Sequence, residues 1–227
     1  MNIKAVFFDI DDTLLDFKRS ADRAMERCYR ILNEECPREL FPTYHRINAQ
    51  LWRRIEAGEL SRAEHKRIRF KLIFDELGIK HDPHAFEEIF LKEMFSSAVE
   101  VENANNILSS LKGRYPLYAA SNAPVAAQQI NRLKLSGMLE KLDGVFVSGD
   151  IGATKPAVEF FFAVMERAGQ KNAEECLFIG DSYEADITGA KNAGMVTCLF
   201  DKNSKYENIP LADHVIGDLM QVEQILK

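Results

Sequence analysis

Two aspartates two positions apart, Asp9 and Asp11, open the stretch Asp9-Ile10-Asp11-Asp12-Thr13 where the apolar run Lys4-Ala5-Val6-Phe7-Phe8 ends. A short, mostly apolar run of this kind reads as a buried parallel strand, so the carboxylates crown a strand end. On extended backbone, side chains two apart point the same way; Asp9 and Asp11 are expected to face one cavity while Ile10 returns to the core. That spacing fits a nucleophile and its proton carrier. Two unit charges about 4 Å apart repel by roughly 4 kcal/mol at an effective dielectric near 20, so such a cluster calls for a cation. Oxygen-only donors with open positions suit Mg²⁺, which takes its shell from one or two carboxylates, waters and a substrate phosphate.

Three further stretches carry groups that complete such a site: Ser121-Asn122, Lys155-Pro156 and Gly180-Asp181-Ser182-Tyr183-Glu184-Ala185-Asp186. Asp181 follows the apolar run Cys176-Leu177-Phe178-Ile179 as Asp9 follows the first, which makes it the natural second metal carboxylate. Asp186 falls one helical turn further on. Ligands of open α/β sheets bind outside the carboxyl ends of the strands, so Asp9, Ser121 and Asp181 define one expected site. Lys155, ahead of a proline at a helix start, supplies the point charge a phosphate oxygen needs, and the Ser121 hydroxyl adds a donor. The chemistry this set predicts is Mg²⁺-dependent phosphoryl transfer.

The elements that must position these groups are also legible. Apolar β-type runs at Leu117 to Ala120, Gly144 to Val147, Cys176 to Ile179 and Met195 to Phe200 alternate with helical patterns that stop at Gly113 and Gly169. This is the pattern of a parallel sheet covered by helices on both faces. Between about residues 18 and 95 the periodicity is helical throughout. Ala21, Ala24, Met25, Cys28, Ile31 and Leu32 form one apolar stripe, and Tyr44, Ile47, Leu51, Trp52 and Ile55 another. Ser61 with Glu64 is a capping-box pair opening a helix that runs to Gly78, and Asp82-Pro83 opens the next. The expected fold is α/β: a three-layer Rossmann-like core formed by residues 1–17 and 96–227, with an inserted helical cap at 18–95 that can act as a lid.

Composition narrows the function further. With 227 residues, 46% of them hydrophobic, and a formal charge of -6, the chain has material for a sizeable core and lacks the concentrated basic face of a nucleic-acid or anionic-membrane binder. Cys28, Cys36, Cys176 and Cys198 show no C-x-x-C spacing, and the five histidines show no ligand spacing, so neither a zinc site nor a redox motif is expected. No signal-type h-region or membrane-length apolar stretch is present, which leads to the expectation of a cytoplasmic protein, monomeric or homodimeric, acting on a small phosphorylated metabolite.

In their order and placement the four stretches resemble the haloacid-dehalogenase-like hydrolases, whose motifs are D-x-D-x-T, a Ser/Thr, a lysine and G-D-x-x-x-x-D. The resemblance implies that Asp9 attacks phosphorus to form an aspartyl-phosphate, and that Asp11 protonates the leaving oxygen and later activates water. It implies Mg²⁺ held by Asp9, the Asp11 carbonyl and Asp181, and phosphate held by Ser121, Asn122 and Lys155. Thr13 is grouped with the phosphate residues as a support of the loop, and Asp186 orders a metal-bound water or Lys155. The segment after the first motif resembles the family's helical cap. Leu51-Trp52 with Gly58-Glu59-Leu60 looks like a bacterial subgroup of pyrimidine 5′-nucleotidases active on dUMP, dTMP, UMP and nonstandard nucleotides, which makes Trp52 a specificity candidate. Two positions depart from the family pattern: Ala123 stands where glycine is frequent, and Gly149-Asp150 replaces a pair usually more acidic. The rival expectations are a phosphoglycolate or sugar-phosphate phosphatase, a phosphomutase, a haloacid dehalogenase, and a regulator that binds phosphometabolites without turnover.

Overall fold

The computed structural model describes residues 2–227. The chain divides into two compact units, one made of the residues up to Phe17 with Ala98–Lys227, the other of Lys18–Ser97. The first unit is built on six strands, β1 (Ala5–Phe8), β2 (Leu117–Ser121), β3 (Gly144–Val147), β4 (Cys176–Gly180), β5 (Val196–Phe200) and β6 (His214–Ile216), in the order β3-β2-β1-β4-β5-β6. Every pairing is parallel. β1 is central, and all four of its residues are fully buried, because each face of the sheet is covered. Val6 and Phe8 enter a core with Ile107, Leu108, Leu111 and Leu133, while Ala5 and Phe7 enter another with Phe160, Phe161 and Phe178. Alternate residues therefore serve opposite cores, which is why the strand reads as a continuous apolar run.

The Met195 to Phe200 run starts its strand one residue later than expected, at Val196. β6 was not visible in the sequence: it has three residues, and the outward Val215 is half exposed. Where the chain leaves and re-enters this unit, Leu15 bridges Glu100 antiparallel, and backbone bonds join Asp16 N–H to Val99 and Val101 N–H to Leu14. The two ends of the insertion are thus fastened side by side.

The second unit is helical: α1 (Phe17–Ile31) enters it, followed by α2 (Leu40–Glu56), α3 (Arg62–Leu77) and α4 (Pro83–Phe95). Ser61 and Glu64 form the reciprocal capping box, Gly78 ends α3 in the left-handed region at φ 68°, and Asp82 caps α4 through the His84 N–H. Tyr44, Phe70, Phe74, Phe86 and Phe90 pack as an aromatic core. Inside it the Arg69 guanidinium is bidentate to Glu87 and also donates to Tyr44 and Asn48, so each nitrogen of the buried charge meets an oxygen. The first apolar stripe ends earlier than its periodicity indicates: Cys28 is buried, but Ile31, in the last turn of α1, is 57% exposed. Among the described residues no helix is long and apolar enough to cross a membrane.

Candidate active site

Register places the candidate groups together. Phe8 at the end of β1 pairs with Ala119 of β2 and Ile179 of β4, and Asp9 N–H extends the ladder to the Ile179 carbonyl. Asp9, Ser121 and Asp181 therefore lie at the carboxyl ends of three neighbouring strands. β1 itself stops at Phe8, and Asp11 lies beyond it, bridged to Leu15 across the turn formed by residues 12–14. Leu14 and Leu15 N–H both return to the Ile10 carbonyl, Asp12 occupies the left-handed region at φ 63°, and its carboxylate caps α1 at Phe17 N–H. Aspartate tolerates that conformation at modest cost. Thr13 is fully buried in the turn, and its hydroxyl has no hydrogen-bond partner among the described residues.

Lys155 is the centre of the cluster. It is 4% exposed, and its Nζ donates to Asp9 Oδ1 at 2.5 Å, Asp186 Oδ1 at 2.6 Å and the Ala120 carbonyl at 3.1 Å. An ammonium has three donors, and all are used. Its loop follows α5 (Ala104–Leu111), α6 (Ala126–Leu135) and α7 (Ser148–Ile151), and precedes α8 (Val158–Arg167). Asn122 pins this loop: its side chain accepts from Lys155 N–H and donates to the Lys155 carbonyl, each at 2.9 Å, beside a cis Lys155–Pro156 peptide. The Asn122 side-chain oxygen and one of its N–H groups are thus engaged with the lysine backbone. α7 approaches the Ser121–Pro124 loop closely enough that a Cβ on Gly149 would lie 2.1 Å from the Pro124 carbonyl oxygen, which accounts for glycine at that position.

Asp186 is carried by a π-helical turn, Tyr183–Thr188, that precedes α9 (Gly189–Asn192). Its Oδ2 accepts from Ser182 N–H at 3.0 Å, and Gly180 leaves it room: a Cβ there would stand 2.3 Å from its carboxylate. Asp181 makes no hydrogen bond or ion pair with the described residues. Oxygens of Asp9, Asp181 and Asp186 lie within 4.8 Å of one another. Burial pushes Asp9 up to about 8 against the pull of Lys155, and burial likewise raises Asp181 well above the usual carboxylate range, with Asp186 adding to both. Lys155 inside the cluster, and Lys205 acting on Asp181 without direct contact, oppose this crowding of carboxyl groups. The hard oxygen donors and the partnerless Asp181 fit a divalent cation such as Mg²⁺.

Asp11 belongs to a second network. Its Oδ1 accepts from Arg132 Nη1 at 2.6 Å and its Oδ2 from Gln129 Nε2 at 2.8 Å; the same Gln129 nitrogen reaches Ser121 Oγ at 3.2 Å. Gln129 and Arg132 both come from α6 and are almost wholly buried. Neither is apparent in the sequence, where polar residues on a helix read as a solvent face; only the spacing of three, which puts them on one side, was available. Trp52 lies in the helical unit, partly exposed, against His65 and under the Arg62 guanidinium.

A family model for haloacid dehalogenase-like hydrolases matches residues 3–194. The chain belongs to that family. It is 33% identical over 207 residues to the HAD-hydrolase YfnB of Bacillus subtilis, covering 91% of this chain and 87% of that one. The magnesium-bound crystal structure of YfnB superposes with a TM-score of 0.92 at 32% identity over all of both chains. The pyrimidine 5′-nucleotidase YjjG of Escherichia coli is 26% identical, covering 97% of this chain and 96% of its own. The pyrimidine 5′-nucleotidase PynA of Streptococcus pneumoniae is 31% identical, covering 88% and 85%.

The carboxylate cluster of this hydrolase makes cation binding measurable through stability. Without a cation, Asp9 keeps its proton up to about 8, whereas in the unfolded chain it ionises near 3.8. The folded state holds the extra proton across that window, so its stability falls as pH rises through it. A cation that binds the ionised form offsets the loss. Saturating Mg²⁺ should therefore raise the thermal unfolding midpoint more at the top of the window than at the bottom; an equal or smaller rise at the top contradicts the assignment.

Proposed function

We propose that this hydrolase is a Mg²⁺-dependent phosphomonoesterase that works through an aspartyl-phosphate on Asp9 and prefers pyrimidine nucleoside 5′-monophosphates. The observation that carries the reading is the buried cluster at the strand ends, where Asp9 is held at 2.5 Å by Lys155 and shares its surroundings with Asp181 and Asp186. A carboxylate oxygen of Asp9 attacks phosphorus, the bond from phosphorus to the ester oxygen breaks, and Asp11 gives that oxygen a proton. Water then attacks phosphorus, Asp11 takes its proton, and the bond to Asp9 breaks, releasing inorganic phosphate. Before attack Lys155 holds Asp9; afterwards its ammonium and the Ser121 hydroxyl are the donors available to the phosphoryl oxygens. Asp9, the Asp11 carbonyl and Asp181 would hold Mg²⁺, which would supply the positive charge that phosphoryl transfer requires.

Phosphate chemistry is favoured over halide release because a halide leaves without a proton, and the placement of Asp11 would then have no task. The nucleotide preference is supported by the two pyrimidine 5′-nucleotidases among the relatives. Trp52, partly exposed with Arg62 over its ring and His65 beside it, is the aromatic candidate for contact with a base. A cytoplasmic setting agrees with this reading, since nucleotides are intracellular metabolites.

Phosphate release from a panel of nucleoside monophosphates, sugar phosphates, phosphoglycolate and aryl phosphates, with and without Mg²⁺, tests the reading. The highest kcat/KM should fall on dUMP, dTMP or UMP with Mg²⁺ present. Asp9→Asn should abolish turnover and Asp11→Asn should lower it by about 10²–10⁴, the usual contribution of a general acid. No phosphate release from any substrate, or a wild-type rate in Asp9→Asn, overturns the proposal. Trp52→Ala should lower kcat/KM for nucleotides about tenfold, as loss of a stacking partner worth about 1–3 kcal/mol predicts, and leave 4-nitrophenyl phosphate nearly untouched. An equal loss on both substrates removes Trp52 from substrate choice.

A further inference from the structure

Arg132 is among the largest fully buried side chains of the chain, at 1% exposure, yet its Nε and Nη2 have no hydrogen-bond partner among the described residues. A half-satisfied buried guanidinium is a poor stabilising device, since the desolvation it suffers is incompletely returned. What it does hold is specific: Nη1 joins Asp11 Oδ1 at 2.6 Å and Gln129 Oε1 at 2.9 Å. Gln129 in turn donates to the other Asp11 oxygen and to Ser121 Oγ. An aspartate carboxylate can rotate about both of its side-chain bonds. Separate donors on its two oxygens, from residues one helical turn apart on α6, fix both its position and its plane. Because α6 follows directly on β2 and the Ser121 loop, one strand–helix unit sets both a phosphate donor and the acid–base carboxylate.

We infer that Gln129 and Arg132 are positioning residues that aim Asp11 at the ester oxygen, Gln129 also tying it to the Ser121 hydroxyl. The inference rests on the phosphomonoesterase reading and adds to it the groups that hold its proton carrier. It predicts a dependence on leaving group. An alkyl ester, such as a nucleoside 5′-monophosphate, expels an alkoxide that must be protonated as it departs, and kcat/KM contains that step. An aryl ester such as 4-nitrophenyl phosphate expels a stable phenolate that needs no proton. Misplacing Asp11 therefore penalises the alkyl ester selectively.

The test compares kcat/KM on UMP and on 4-nitrophenyl phosphate for the wild type, Gln129→Met, Arg132→Met and Arg132→Lys, each with Mg²⁺. The ratio of the two values, measured on one preparation, does not depend on how much of a variant is folded. Gln129→Met and Arg132→Met should each lower the alkyl-to-aryl ratio about tenfold or more, part of the roughly 10²–10⁴ a general acid supplies. Arg132→Lys, which keeps a cationic donor, should retain most of it. An unchanged ratio in both Met variants, whether or not the two rates fall together, overturns the positioning role. A wild type inactive on both esters overturns instead the phosphomonoesterase reading on which the inference rests, so the two failures are distinguishable.

Discussion

A single buried ammonium organises the catalytic end of the sheet. Lys155 joins Asp9, at the end of β1, to Asp186, on the turn after β4, and to the backbone of β2. A lysine so far from water is tolerable only because each of its donors meets an oxygen, two of them on carboxyl groups. The surrounding features serve that contact. Asn122 clasps the lysine's own backbone, Gly180 leaves space for Asp186, and the π-helical turn brings the Asp186 carboxylate back over the strand end. The three carboxyl groups gathered there are hard oxygen donors of the kind that suit a divalent cation.

The parallel sheet makes this economical. Three neighbouring strands end within two residues of one another in register, so single residues at or just beyond the ends of β1, β2 and β4 converge without further design. The strand end of β2 is where the two halves of the site meet. Ala120 accepts from Lys155, Ser121 accepts from Gln129, and Asn122 braces the lysine loop. Asp9 and Asp11 consequently receive different partners despite their closeness in sequence: Asp9 is held by Lys155, and Asp11 by a helix-borne amide and guanidinium. The proposed mechanism gives the two different tasks, nucleophile for Asp9 and proton carrier for Asp11.

Much of this was legible in the sequence because apolar runs that stop at acidic or hydroxyl-bearing residues mark buried strand ends, which exposed Asp9, Ser121 and Asp181 together with the sheet itself. Capping chemistry was equally readable, since Ser61 with Glu64 and Asp82 with Pro83 depend only on local bonding. What the sequence hid depends on long-range contact. Gln129 and Arg132 look like solvated helix residues until the fold buries them against Asp11. Asn122 has the chemistry of a phosphate ligand, and only the path of the Lys155 loop shows that its side chain also engages the lysine backbone. The three-residue β6 carries too little periodicity to announce a strand.

The central claim is that the buried cluster makes Asp9 a nucleophile toward phosphorus. Its most direct test is to quench the enzyme during turnover of a phosphomonoester with Mg²⁺, reduce it with tritiated borohydride, and map the labelled peptide. An acyl phosphate at Asp9 would be reduced to homoserine, so label at position 9 is the predicted result. Turnover at full rate with no label there would contradict the account.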